Sequence, residues 1–149
     1  MYNTIVVGTD GSTTASQAVR HAGELAKTTG AELHVVHAFQ AVSAMTAIGP
    51  DGGAAAASVG LTEALETQAR DVLDRAGAAA RTQGAKVETH LCTGDPANAL
   101  LETAERVGAD LLVIGNKGMS GVRRFVLGSV PNKISHHCPC SLLIVHTTG

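Results

Sequence analysis

Aromatic residues are almost missing from this chain. Tyr2, Phe39 and Phe125 are the only ones, and tryptophan is absent. A core without rings must be built from Val, Leu, Ile and Ala, and a hydrophobic fraction of 44% supplies enough of them. The same shortage argues against a single-strand nucleic-acid binder, which stacks bases on aromatic side chains. Charge is sparse as well, with a formal balance of −2, so the basic footprint of a duplex-DNA binder is not there. No apolar run approaches the ~20 residues needed to span a bilayer. The opening MYNTIVVGTDGS carries neither the basic nor the long apolar segment of a secretion signal. A cytoplasmic protein is expected, with neither membrane nor nucleic acid as partner. Three cysteines, an odd number, do not suggest a disulfide framework. The length fits one domain, residues 1–149.

Glycine, in contrast, is plentiful, and one stretch concentrates it. GNKGMSGVRRFVLGS contains Gly115, Gly118, Gly121 and Gly128. It follows the apolar run Leu111-Leu112-Val113-Ile114 and leads into a helix start at Ser129-Val130-Pro131. Glycine lets a backbone approach a ligand closely. A helix N-terminus adds N–H groups and a partial positive charge. Together they make a cradle for phosphate. Lys117, Arg123 and Arg124 lie in the same stretch, either to attract phosphate or as a solvated basic face.

The remaining pattern alternates strand and helix. Residues 4–9 are β-branched and read as a first strand. Asp10-Gly11-Ser12 turns the chain, with Ser12 or Thr13 as cap of a helix that Gly30 ends. Asp10 is either a simple cap or a ligand contact. Residues 32–39 form the second strand, in which His37 reads as a packed histidine. Residues 40–60, rich in glycine and alanine, read as a flexible loop with at most a short helical piece. Helical spacing returns over 61–83, and 87–92 alternates as a third strand. Gly94-Asp95-Pro96 is a turn with Asp95 as cap and Pro96 at the first position of a third helix, closed by Gly108. Residues 111–114, 129–136 and 142–146 supply the fourth strand, a short helix and the fifth strand.

This order specifies an α/β fold with a mostly parallel sheet between helix layers. Ligands of such sheets bind at the carboxyl ends of the strands, where the strand order reverses. If the first strand is central and the fourth lies beside it, Gly8-Thr9-Asp10 and Ile114-Gly115 share one crevice.

The spacing Gly115-x2-Gly118-x9-Gly128-Ser129 resembles the nucleotide-binding signature of the universal stress protein family. The resemblance extends over nearly the whole chain: Ile5 to Ser12 looks like that family's first strand and turn, Ala109 to Gly115 like its fourth strand, and Cys138 to Val145 like its last. It implies a single domain with a Rossmann-like, three-layer α/β/α sandwich and a five-stranded parallel sheet of order 3-2-1-4-5. It implies bound ATP, accompanied by Mg or Mn, with cyclic AMP or AMP as the alternative ligand. By position, Gly8, Thr9, Asp10, Ala38, Ile114 and Gly115 would line the adenine and ribose side. Gly118, Gly128, Ser129 and Val130 would contact phosphates, and Asn116 and Lys117 are counted among the ligand-binding positions. It also implies a homodimer through the last strand, Leu142, Leu143, Ile144, Val145 and His146.

A Walker A sequence is absent, since no lysine precedes Ser129, and neither HExxH nor GxSxG occurs. Regulatory binding in a stress response, without committed catalysis and with no catalytic residue named, is the expected function. A weak Mg-dependent ATPase is the alternative. His136-His137-Cys138-Pro139-Cys140 offers soft ligands, but they are too tightly spaced for one tetrahedral ion, and no metal site is expected.

Overall fold

A computed structural model describes residues 1–42, 53–117 and 127–147, and of residues 53–56 the backbone alone. Its elements run β1 (Thr4–Gly8), α1 (Thr13–Thr29), β2 (Glu32–Phe39), α2 (Gly53–Thr82), β3 (Lys86–Thr93), α3 (Pro96–Val107), β4 (Leu111–Gly115), α4 (Ser129–His137) and β5 (Ser141–Val145). The strands form one sheet of order β3-β2-β1-β4-β5, and every pairing is parallel. The expected order is therefore the observed one, and β1 is central.

Side-chain alternation along the strands builds two cores. Ile5 and Val7 of β1 join Leu33, Val35, Leu111 and Val113 against the alanine-rich face of α1 and against Leu73 and Ala80 of α2. Val6, Val36, Leu112 and Ile114 point the other way, against Ala97, Leu100 and Ala104 of α3 and Ile134 of α4. The result is three layers, with α1 and α2 on one face and α3 and α4 on the other. Alanines on α1 let that helix lie close to the sheet, as a core short of large rings requires.

The helix ends follow local chemistry. Ser12 caps α1, its Oγ accepting from the Ala15 N–H at 3.1 Å, and Gly30 closes it with φ of 75°. Asp95 caps α3 by accepting from the Asn98 N–H at 3.0 Å, with Pro96 next in line.

One expectation is corrected. Residues 40–60 are not a loop throughout, because α2 begins at Gly53 and not near residue 61. Alanines 54–57 are the strongest helix formers, and Gly60 stands exposed with open space around it. Continuing the helix through such a glycine costs only about 1 kcal/mol relative to alanine. Residues 43–52 of that expected loop lie outside the described residues. No helix among the described residues is long and apolar enough to cross a membrane.

Candidate functional site

The strand order reverses between β1, whose chain continues toward β2, and β4, whose chain continues toward β5. At the carboxyl ends of these two strands lies a cavity of about 310 Å³. Its walls are mostly apolar: Ala15, Val36, Ala38, Pro96, Leu100, Ile114, Val130 and Pro131. Thr9, Asp10, Lys117 and Ser129 bring polar groups to it, and Gly8, Gly115 and Gly128 bring bare backbone. An apolar slot with a few convergent polar groups suits a flat heterocycle carrying a polar tail.

The β1 corner combines short-range turn bonds with long-range ties to β2. Thr9 continues the ladder by donating its N–H to Val36 O at 2.9 Å. Gly11 turns with φ of 81°, a conformation that favours glycine. Its N–H reaches Thr9 Oγ1 at 3.2 Å, and the Ser12 N–H reaches Asp10 Oδ1 at 2.9 Å. Ser12 is thus the helix cap, while Asp10 shapes the turn and borders the cavity. His37 is more than packing: its Nδ1 donates to Thr9 O at 2.8 Å, because a carbonyl can only accept. It fixes the backbone from behind without lining the cavity.

The β4 corner is held by long-range bonds. Asn116 donates its N–H to Val145 O at 2.9 Å, and its own carbonyl accepts from Gly128 at 3.2 Å. Its Oδ1 accepts from both the N–H and the Oγ1 of Thr147, each at 2.8 Å. Asn116 therefore ties the ends of β4 and β5 to the start of α4. Its carboxamide faces Thr147, and it does not line the cavity.

Helix α4 presents its N-terminus to the cavity. Its bonding starts with the Asn132 N–H to Gly128 O at 3.0 Å, so the N–H groups of Ser129 and Val130 precede the first intrahelical bond. Pro131 has no N–H to offer. Gly128 has φ of −58°, which any residue adopts, and the nearest described atoms to an added Cβ are Pro131 Cδ at 3.5 Å and Asn116 O at 3.7 Å. Its torsion therefore does not require glycine. Lys133 on the same helix pairs with Asp95 at 3.2 Å and ties α4 to α3. The Asn98 N–H, helped by Lys133, holds the Asp95 carboxyl below the usual range.

Of the positions expected from the sequence, Gly8, Thr9, Asp10, Ala38, Ile114, Gly115, Lys117, Gly128, Ser129 and Val130 line this one cavity. Asn116 supports it from outside. Gly118, Gly121, Arg123 and Arg124 lie outside the described residues. Val36, Ala15, Pro96, Leu100 and Pro131 complete the walls without having been singled out as ligand positions. Val36 was within reach, being two residues before Ala38 on one strand face.

Cys138 and Cys140 sit with their sulfurs 3.8 Å apart. Burial and then the neighbouring Cys138 push the Cys140 thiol up to about 12, so it stays protonated. The His136–Cys140 segment does not converge three ligand atoms on one point.

The family model described as Universal stress protein family matches residues 1–146. Universal stress protein Rv1636 of Mycobacterium tuberculosis is 38% identical over 152 residues, covering 99% of this chain and 98% of the relative. The crystal structure of a universal stress protein in complex with cAMP is similar at 34% identity and a TM-score of 0.72, covering 99% of this chain and 98% of the other. The universal stress protein UspA from Lactobacillus plantarum shares the fold, with a TM-score of 0.80 at 22% identity over 97% of each chain. The chain belongs to the universal stress protein family.

Proposed function

We propose that this protein binds an adenine nucleotide in the β1/β4 crevice and acts as a regulatory binder in a stress response, without committed catalysis. The observation that carries this reading is the cavity itself. It sits at the switch point of the sheet, its apolar walls suit a purine, and the first turn of α4 lies at its rim with two N–H groups and the Ser129 hydroxyl. The base would lie against Val36, Ala38 and Ile114, with the sugar near Asp10. The phosphates would rest on Gly128, Ser129 and Val130. ATP is the ligand we assign first, with Mg or Mn held through its phosphates.

Cyclic AMP is the second reading. The 34% identical universal stress protein in complex with cAMP favours it. So does Pro131, since a cradle short of one N–H suits a singly charged phosphodiester better than it would suit a chain of phosphates.

Isothermal titration of the purified chain with ATP, cyclic AMP, AMP and GTP tests both readings. Saturable binding of an adenine nucleotide, and none of GTP, is expected. Failure of every adenine nucleotide to bind would contradict the proposal. Incubation with magnesium and ATP, followed for ADP, separates binding from turnover, and release above background that falls in Asp10→Ala would replace the regulatory reading with an ATPase.

We also propose a homodimer through β5, which among the described residues is an edge strand beside β4. A dimer mass by sedimentation at micromolar concentration is expected, and a monomer mass would overturn it. Val145 is the wrong residue for probing that interface. It is 7% exposed within the single chain and belongs to the α1 core, so a charge there would damage the fold itself.

A further inference from the structure

We propose that His34, Glu88 and His90 form a zinc-binding site on the β2–β3 half of the sheet. The parallel register sets His34 beside Glu88 and Val36 beside His90, so all three side chains project from the face that carries α3. Three ligand atoms converge there. His34 Nδ1 lies 2.9 Å from His90 Nε2 and 3.5 Å from Glu88 Oε2, and His90 Nε2 lies 3.9 Å from the same oxygen. An ion in the plane of this triangle would stand about 2.0 Å from each atom, the length of a Zn–N or Zn–O bond.

The surroundings fit a three-ligand site with an open position. His34 is 5% exposed and is held by the sheet. The Glu88 side chain is 60% exposed, which leaves a path from solvent and room for a water as fourth ligand. None of the three residues lines the nucleotide cavity, so this site stands independently of the nucleotide reading.

Without an ion, one proton bridges the two rings. Arg106 lies 3.5 Å from His90 Nδ1, so that nitrogen accepts, and His90 Nε2 carries the proton toward His34 Nδ1. Zinc takes the place of that proton. The His90 proton then resides on Nδ1, and Arg106, whose side chain is exposed on α3, must swing away. Arg106 is thus a competitor of the metal, and its removal should strengthen binding.

The test is a competition titration of the chelator-stripped full chain with Zn²⁺ against a chromophoric chelator. One tight ion per chain is expected, together with four-coordinate visible bands when Co²⁺ replaces Zn²⁺. Glu88→Gln, an exposed change that spares the fold, and His90→Gln should each weaken zinc by at least about tenfold. Arg106→Gln should tighten it several-fold, an effect that chance surface binding would not show. The double change His136→Gln, His137→Gln should leave it unaltered. Zinc affinity in the wild type no better than in Glu88→Gln, or affinity lost with His136 and His137, would overturn the proposal.

Discussion

The two corners of the β1/β4 crevice are built differently. At the end of β1 the turn closes on itself: Thr9, Asp10 and Ser12 supply side-chain acceptors for N–H groups two or three residues away. Helix α1 then docks with six buried residues. At the end of β4 the contacts come from afar. Asn116 reaches residues 30 positions on, and α4 is seated by only two buried residues, Pro131 and Ile134. The first corner adds these local turn bonds to its long-range ties from Val36 and His37. The second, which carries the proposed phosphate cradle, is tied among the described residues by long-range bonds.

That contrast can be broken at its weakest point. Ile134 is fully buried and is the main anchor of α4. Ile134→Ala should cost about 2–5 kcal/mol in urea denaturation, with nucleotide affinity lost alongside. A change of similar size in stability that spares affinity would mean that α4 does not carry the cradle. Asn116→Ala comes next. It strands the N–H and hydroxyl of Thr147, which is 3% exposed, and should cost about 1–3 kcal/mol. Comparable loss from Asp10→Ala would erase the distinction between the corners.

Asp95 offers a smaller and pH-dependent test. Asp95→Ala removes the α3 cap and should cost about 1 kcal/mol. Because the Asn98 N–H and Lys133 depress its folded pKa, the carboxylate's contribution is full above the ordinary aspartate range. It is lost as pH falls through the lower folded value. Asp95→Asn keeps the cap without the charge, so its stability difference from wild type should shrink as pH falls through and below the ordinary aspartate range. A difference that stays constant would mean that the charge adds nothing to the cap. Lys117→Ala should have the smallest effect, about a twofold loss of nucleotide affinity, since an exposed charge pair is worth under ~1 kcal/mol.

Much of the fold was legible because its determinants are local. β-Branched runs marked the strands, and Ser12, Gly30, Asp95, Pro96 and Gly108 marked helix ends through capping chemistry. Gly8, Asp10 and Gly115 were legible from their place at the ends of strands, and Gly128 from the glycine spacing before a helix start. Residues brought in by packing were not. Leu100 and Pro96 reach the cavity only because α3 folds over the sheet. Asn116 sat inside the motif, yet its partner Thr147 is 31 residues away, so its supporting role was hidden. His34 and His90 are 56 residues apart and meet only through strand register. The start of α2 was misread for a different reason, because glycines 52, 53 and 60 outweighed the alanines between them.

The central claim is that backbone at the start of α4, not a lysine, grips the ligand. Its most direct test is titration of Gly128→Ala and Lys117→Ala side by side with the nucleotide that the wild type binds. Gly128→Ala should keep the wild-type melting temperature, since its φ of −58° and the space around it admit a methyl group. It should nevertheless lose about tenfold in affinity, or ~1.4 kcal/mol, if the bare backbone of this cavity-lining position is where phosphate rests. Unchanged affinity in Gly128→Ala, or a larger loss in Lys117→Ala, would contradict the claim.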